Sequence, residues 1–191
     1  MDNKIFIKEV RSIYGNDFIP LHRPVFAGNE KQYLAECIDS NFVSSVGAQV
    51  GEFEQHIAKF TGSEFAIATV NGTAALHAAI QIAGVCNGDE VLTQALTFIA
   101  TCNAISYAGA NPVFVDVDLD TMGMSPIALS NFLDKYAEKK NGATWNKITG
   151  CKISACVPMH TFGMPCRIEE IQLICDHWGI PLIEDAAESL G

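Results

Sequence analysis

Residues 65–85 read "FAIATVNGTAALHAAIQIAGV". The stretch is weakly polar and long, but Asn71, Gly72, His77 and Gln81 break it, so it does not read as a membrane span. It reads as a strand (65–69), a turn at Asn71–Gly72 and a buried helix (73–84). The same rhythm continues downstream. Strand "EVLTQ" (90–94) precedes helix "TFIATCNAISYAG" (97–109), and strand "PVFVDV" (112–117) precedes helix "SPIALSNFLDKYAEK" (125–139). A polar loop (140–150) leads to strand "KISACVPM" (152–159), helix "RIEEIQLICDHWG" (167–179) and strand "IPLIED" (180–185). Five strands alternating with helices predict an α/β fold, a largely parallel sheet flanked by helices. Leu129, Phe132, Leu133 and Tyr136 mark one buried stripe, and Ile168, Ile171, Ile174 and Trp178 another.

Upstream, "NEKQYLAECIDS" (29–40) and "QVGEFEQHIAKF" (49–60) read as two further helices. Residues 1–28, punctuated by Pro20 and Pro24, read as an irregular N-terminal segment, so the expected division is 1–28 and 29–191. The N-terminus has no long apolar core and is not expected to be a signal peptide. Hydrophobic residues make up 49% of the 191, enough for a substantial core, and the formal net charge is −10. That charge argues against non-specific binding to nucleic acid or an anionic membrane. Seven cysteines without a C-x-x-C pair or zinc-like spacing predict free thiols, a cytoplasmic setting and no metal.

In a parallel sheet, ligands bind outside the carboxyl ends of the strands. That rule selects "VNGT", "ALTF", "VDVD", "MHTFG" and "EDAAE". In the first, Gly72 permits close backbone approach, Thr73 offers a hydroxyl, and the first-turn amides of the helix suit a single phosphate. The same turn is also compatible with an ordinary Thr-capped helix start. A nicotinamide dinucleotide is disfavoured, because the turn holds one glycine rather than G-x-G-x-x-G. Phe98, at a strand-to-helix junction, could stack on a flat ring or simply fill core. Asp185 closes an apolar strand, where a carboxylate is costly unless paired. It could cap a helix beginning at "AAESL" or hold a buried cation. A protonated ring nitrogen about 4 Å away, at an effective dielectric of about 20, would gain roughly 4 kcal/mol. That equals about three pK units, enough to keep a pyridine nitrogen charged at neutral pH. Pyridoxal 5′-phosphate combines such a nitrogen with a flat ring and one phosphate.

Together, "NGTAAL", "LTFIATCNAI", "PVFVDVD" and "IEDAAE" resemble the DegT/StrS-type nucleotide-sugar aminotransferases, pyridoxal-phosphate enzymes of the aspartate aminotransferase fold (fold type I). The resemblance runs from about residue 18 to the end. It implies that residues 29–191 are the major part of the cofactor-binding large domain, without the small C-terminal domain. It implies cofactor binding by Gly72, Thr73 and Ala74 at the phosphate, by Phe98 at the ring face and by Asp185 at the ring nitrogen. Glu188 takes the place that touches the ring hydroxyl in relatives, although a carboxylate facing a phenolate repels it unless one is protonated. Glu184 is expected to be structural, and His160 a substrate contact or a satisfied loop histidine. "IPLHRPVFAGNE" and "VDLDTMGMSP" are similar to the LegC-like subgroup, which aminates UDP-linked 4-keto-6-deoxy-N-acetylhexosamines with glutamate as donor.

The resemblance also implies a lysine that forms a Schiff base with the cofactor, located beyond Gly191, and none of the nine lysines present has a matching context. The expectation is therefore an N-terminal portion that does not transaminate by itself, and a full-length homodimer with shared active sites. Strands implied to follow Gly191 would insert between 65–69 and 180–185, so unpaired edges and self-association are expected. Two other readings stay open: a sugar 3-dehydratase on the same scaffold, with histidine at the lysine position, and a non-catalytic module.

Overall fold

The computed structural model describes residues 3–20, 23–44 and 46–190. Leu21 and His22 of "IPLHRPVFAGNE", Met1 and Asp2 of the N-terminal segment, Ser45 and Gly191 lie outside the described residues. The chain divides into two units, Met1–Ala66 and Ile67–Gly191, rather than at residue 28. In the first unit lie helices α1 (Asn3–Tyr14), α2 (Glu30–Asp39) and α3 (Ala48–Thr61). Helix α1 corrects the expectation of an irregular segment. Its Phe6, Val10, Ile13 and Tyr14 recur at helical spacing, a signal masked by the charges between them. None of these three helices contains a buried residue. The apolar faces predicted on α2 and α3 are present, but Leu34, Ile38, Phe53 and Phe60 are exposed.

The second unit carries helices α4 (Gly72–Ile82), α5 (Ile99–Tyr107), α6 (Pro126–Tyr136) and α7 (Ile168–Trp178). Its strands are β1 (Glu90–Gln94), β2 (Asn111–Val115), β3 (Ala137–Lys140), β4 (Ala143–Asn146) and β5 (Ile153–Val157). The main sheet has the order β2–β1–β5, all parallel, with Leu92 opposite both Val113 and Cys156. Every residue of β1 is buried. Successive side chains of a strand point to opposite faces. Leu92 accordingly packs with Leu129, Leu133, Ile171 and Cys175 from α6 and α7. Val91 packs on the other face with Ile80, Ala104 and Ile105 from α4 and α5. Both faces of the sheet are thus covered, as parallel sheets require.

Segment 180–185 runs parallel beside β5, but as two isolated bridges, Cys156 with Leu182 and Met159 with Asp185. The amide of Cys156 donates to Pro181 O, and those of Ile183 and Asp185 donate back to Cys156 O and Pro158 O. Pro158 has no N–H to give Ile183, and this interrupts the ladder. The strand expected at 65–69 is not formed. Phe65 and Ile67 remain exposed, and no described residue offers that segment a ladder.

The expected helix 125–139 ends at Tyr136, and the expected loop 140–150 begins as a hairpin. Antiparallel β3 and β4 turn at Asn141–Gly142, both left-handed (φ 54° and 74°). Asn-Gly is the dipeptide that such a two-residue turn demands, and it marked the hairpin in the sequence. Thr144 Oγ1 donates to Trp178 O at 2.6 Å, tying the hairpin to the end of α7. Ser125 caps α6 as expected, its Oγ accepting from the Ala128 amide at 3.3 Å.

Leu133 is fully buried on α6 while Ile127 on the same helix is 71% exposed. Leu133→Ala is expected to cost about 2–5 kcal/mol in urea unfolding. Ile127→Ala is expected to stay within about 0.5 kcal/mol.

Candidate functional site

At the carboxyl end of β1 the chain places a fully buried amide, Gln94. Its Nε2 donates to Leu96 O at 3.0 Å and to Thr161 Oγ1 at 2.9 Å. Its Oε1 accepts from the amides of Met124 at 2.8 Å and Met159 at 3.2 Å. One side chain therefore ties together the loops after β1, β2 and β5. Sequence reasoning passed over Gln94, although a polar residue closing an apolar strand is the same signal that selected Asp185.

Asp185 is 4% exposed. Its Oδ2 accepts from the Thr101 hydroxyl at 2.6 Å, and its Oδ1 from the Ala187 amide at 3.3 Å. No cationic group among the described residues pairs with it. The helix at "AAESL" does not form; residues 187 and 188 are a turn, so Asp185 caps nothing longer than that. Thr101 lies on the first turn of α5, whose N-cap is Phe98. Phe98 is 65% exposed and its amide donates to Met159 Sδ at 3.4 Å. Phe98, Phe162, Met159, Thr161 and Glu188 line one cleft of about 150 Å3. Residues 72–74 are not among its lining.

Those residues open α4. The helix starts at Gly72, one residue earlier than expected, and its cap is Asn71, not Thr73. Asn71 Oδ1 accepts from the Ala74 amide at 2.9 Å, so that amide is already engaged. The Thr73 hydroxyl has no described partner. A Cβ at Gly72 would meet nothing within 4 Å, and its φ is not left-handed. Nothing in the fold therefore requires glycine at 72.

Glu188 sits at the cleft, but its Oε2 accepts from the Phe162 amide at 2.7 Å. Phe162 is left-handed (φ 56°), and a Cβ at its neighbour Gly163 would stand 2.7 Å from Glu188 O. Glu188 thus holds this loop, a role that sequence reading did not anticipate. The carboxylates of "VDVD" are also spoken for: Asp118 pairs with Arg167, and Asp116 caps the Val117 amide.

Residues 25–191 match the DegT/DnrJ/EryC1/StrS aminotransferase family. The chain belongs to this family. EpsN of Bacillus subtilis (strain 168), named as a pyridoxal phosphate-dependent aminotransferase, is 40% identical over 173 residues, 91% of this chain. GDP-perosamine synthase of Escherichia coli O157:H7 is 37% identical over 174 residues, also 91% of the chain. The chain spans 42% and 43% of the lengths of these two relatives. Among solved structures, the aminotransferase from Psychrobacter cryohalolentis superposes with a TM-score of 0.75 at 31% identity, covering 92% of this chain and 40% of that one. The α/β architecture, with its parallel sheet between helices, is that of the large domain expected from the sequence.

A second constellation in this DegT/DnrJ/EryC1/StrS chain has the outline of a nucleophilic triad. Cys166 Sγ lies 3.4 Å from His160 Nδ1, and His160 Nε2 lies 3.0 Å from Glu184 Oε2. The Cys166 amide donates to Nδ1 at 3.2 Å, so Nδ1 is the acceptor and Nε2 carries the proton given to Glu184. Burial first, and the Glu184 charge second, push the Cys166 thiol up to about 11. It is therefore not a nucleophile at neutral pH. His160, expected as either a substrate contact or a satisfied loop histidine, is 5% exposed with both nitrogens engaged. Glu184 is structural, as expected, through this contact.

A thiol raised to about 11 from 9.0 holds about 100-fold less thiolate below pH 9. Iodoacetamide at pH 8 is accordingly expected to label the exposed Cys86 first, with Cys166 lagging by about two orders of magnitude or more. Peptide mass spectrometry over time reads this directly. For the loop, Glu188→Gln, which keeps an acceptor but loses the charge, is expected to speed Phe162 amide exchange only a few-fold. Glu188→Ala is expected to speed that exchange about tenfold, the loss of one hydrogen bond to a charged group.

Proposed function

We propose that this chain forms the cofactor-binding part of a pyridoxal 5′-phosphate-dependent aminotransferase that transfers an amino group from glutamate to a nucleotide-linked 4-keto-6-deoxy sugar. The observation that carries the reading is Asp185: a carboxylate buried to 4% exposure, held by neutral donors and facing no cation among the described residues. Burying a charge this way is costly unless a cation completes the site. An exposed aromatic ring, Phe98, stands on the N-cap of the helix that supplies Thr101. Gly72 and Thr73 open α4, where first-turn amides and a partnerless hydroxyl suit a phosphate, and the fold itself has no need of the glycine.

In this reading Asp185 holds the ring nitrogen in its protonated form, and Phe98 packs on the ring face. The amides of Gly72 and Thr73, with the Thr73 hydroxyl, take the phosphate; Ala74, engaged by Asn71, supports the turn rather than the ligand. Glu188 orders the loop of Phe162 at the mouth of the cleft. Bound there, pyridoxal 5′-phosphate supplies an electron-withdrawing ring for chemistry at the carbon that carries the amino group. The covalent lysine and the small domain belong, in this proposal, to the length that the relatives have beyond this match, and the full-length protein is a homodimer with shared active sites. The 191 residues alone would then bind cofactor without transaminating.

The nucleotide is the finer point. The LegC-like, UDP-linked reading rests on the sequence resemblance, whereas three relatives are named for a GDP-linked product. The proposal therefore stops at the nucleotide-linked sugar. No feature of these residues favours the dehydratase reading.

Pyridoxamine 5′-phosphate is a suitable probe, because it has the ring and the phosphate but does not condense with surface lysines. Titration calorimetry is expected to show saturable binding to the 191-residue chain, weakened at least tenfold by Asp185→Ala. Gly72→Ala is expected to weaken binding while leaving the melting temperature unchanged or slightly higher, since Ala is the better helix residue by about 1 kcal/mol. No binding by the wild-type chain, or equal binding by Asp185→Ala, would defeat the reading.

A further inference from the structure

The Asp185 carboxylate is held unevenly. Oδ2 receives a hydroxyl at 2.6 Å, whereas Oδ1 receives only an amide at 3.3 Å. The hydroxyl donor, Thr101, is fully buried. It sits three residues after Phe98, and its amide donates to Phe98 O at 3.1 Å. One turn of α5 therefore carries both the exposed ring and the group that grips the carboxylate. The Thr97 and Thr101 hydroxyls are 2.9 Å apart. A carboxylate only accepts, so the Thr101 hydrogen goes to Asp185 and its oxygen is free to accept from Thr97. The single Thr97 hydrogen then serves either Thr101 or the Met159 sulfur 3.1 Å away, not both. The backbone of Asp185 is fixed separately, by its amide to Pro158 O and by the His160 amide to its own carbonyl. Ladder bonds set where Asp185 stands; among the described residues, Thr101 and the Ala187 amide set how its carboxylate is turned.

We propose that Thr101 is the positioning residue for Asp185: its hydroxyl occupies Oδ2, holds the side-chain rotamer and leaves Oδ1 as the oxygen that meets a cationic ring nitrogen. The proposal rests on the cofactor reading above for the identity of that cation. Without the hydroxyl the Asp185 rotamer loses its stronger tether, so Oδ1 is less well aimed and its hold on a protonated partner weakens. The titratable groups on the elements that meet Asp185 have other partners or other places. Glu184 bonds to His160 and Glu188 to the Phe162 amide, Cys166 lies against His160, and α5 itself carries Cys102 and Tyr107.

The test uses pyridoxamine 5′-phosphate labelled with 15N in the ring, bound to the 191-residue chain and followed by NMR against pH. In the wild type the ring nitrogen is expected to stay protonated through neutral pH. In Thr101→Val, nearly isosteric, it is expected to lose its proton about one pH unit lower, and in Thr101→Ser at the wild-type pH. In the free chain, the Thr101 hydroxyl proton is expected to be protected from exchange and to shift in Asp185→Asn. That second readout needs no cofactor. Identical ring titration in wild type and Thr101→Val overturns the positioning role while the cofactor reading stands. A wild-type chain that binds no probe overturns the cofactor reading and, with it, the assignment of Oδ1. A Thr101 hydroxyl that exchanges freely in the free chain overturns the grip on Oδ2 itself. Melting curves of the Val and Ser variants within a few degrees of wild type exclude unfolding as the cause.

Discussion

A buried amide cannot be left half satisfied, and Gln94 is satisfied at both ends. Two donated bonds and two accepted ones connect the loops after β1, β2 and β5 at the carboxyl edge of the sheet. In a low-dielectric interior each unpaired group would cost about 1–3 kcal/mol. The loops are thus held at a fixed mutual distance by a side chain that never reaches solvent. Met159 is placed by the Gln94 oxygen, and its sulfur in turn receives the Phe98 amide. The position of the aromatic ring at the cleft is tied through Met159 to the loop after β5.

Around this knot, neutral and charged groups are distributed with opposite logic. Buried polar groups that serve the fold are closed on themselves: Asn146 on Glu90, Ser154 on Asp89, His160 between Cys166 and Glu184. Asp185 is closed on one oxygen and weakly held on the other. Glu90, equally buried, likewise has no cation among the described residues, so it is the place of Asp185 beside the turn that carries Phe98, rather than its burial alone, that supports the proposed site. The thiol of Cys166 illustrates the converse. It stands beside a histidine and a carboxylate, and burial still keeps it inert.

Pro158 gives the edge of the sheet its character. By withholding one amide it turns the last strand into two separate bridges that flank a bulge-free but interrupted ladder. The second of those bridges carries Asp185. The carboxylate is therefore delivered by a short, locally anchored contact beside β5, and its orientation is left to the hydroxyl from α5.

Much of this was visible in the residues. Apolar runs closed by polar residues located β1, β2 and β5, Ser125 and Pro126 located the start of α6, and the ordered motifs at 71–76, 96–105 and 183–188 carry the residues of the proposed site. These are local signals, set by chain periodicity and by which side chains tolerate a turn. Local signals misjudged what depends on a neighbour. Residues 65–69 have a strand's pattern but no ladder, and "AEKKNGATWN" pairs with itself because Asn141–Gly142 can turn left-handed. Partners from distant loops were likewise not legible: Glu188 Oε2 accepts from the Phe162 amide, and His160, read as a substrate contact or a satisfied loop histidine, has both nitrogens occupied. Sequence determined which residues carry charge, hydroxyl and ring. Only tertiary structure decided which of them remain unsatisfied, because satisfaction is a property of pairs brought together from 84 positions apart in the case of Thr101 and Asp185.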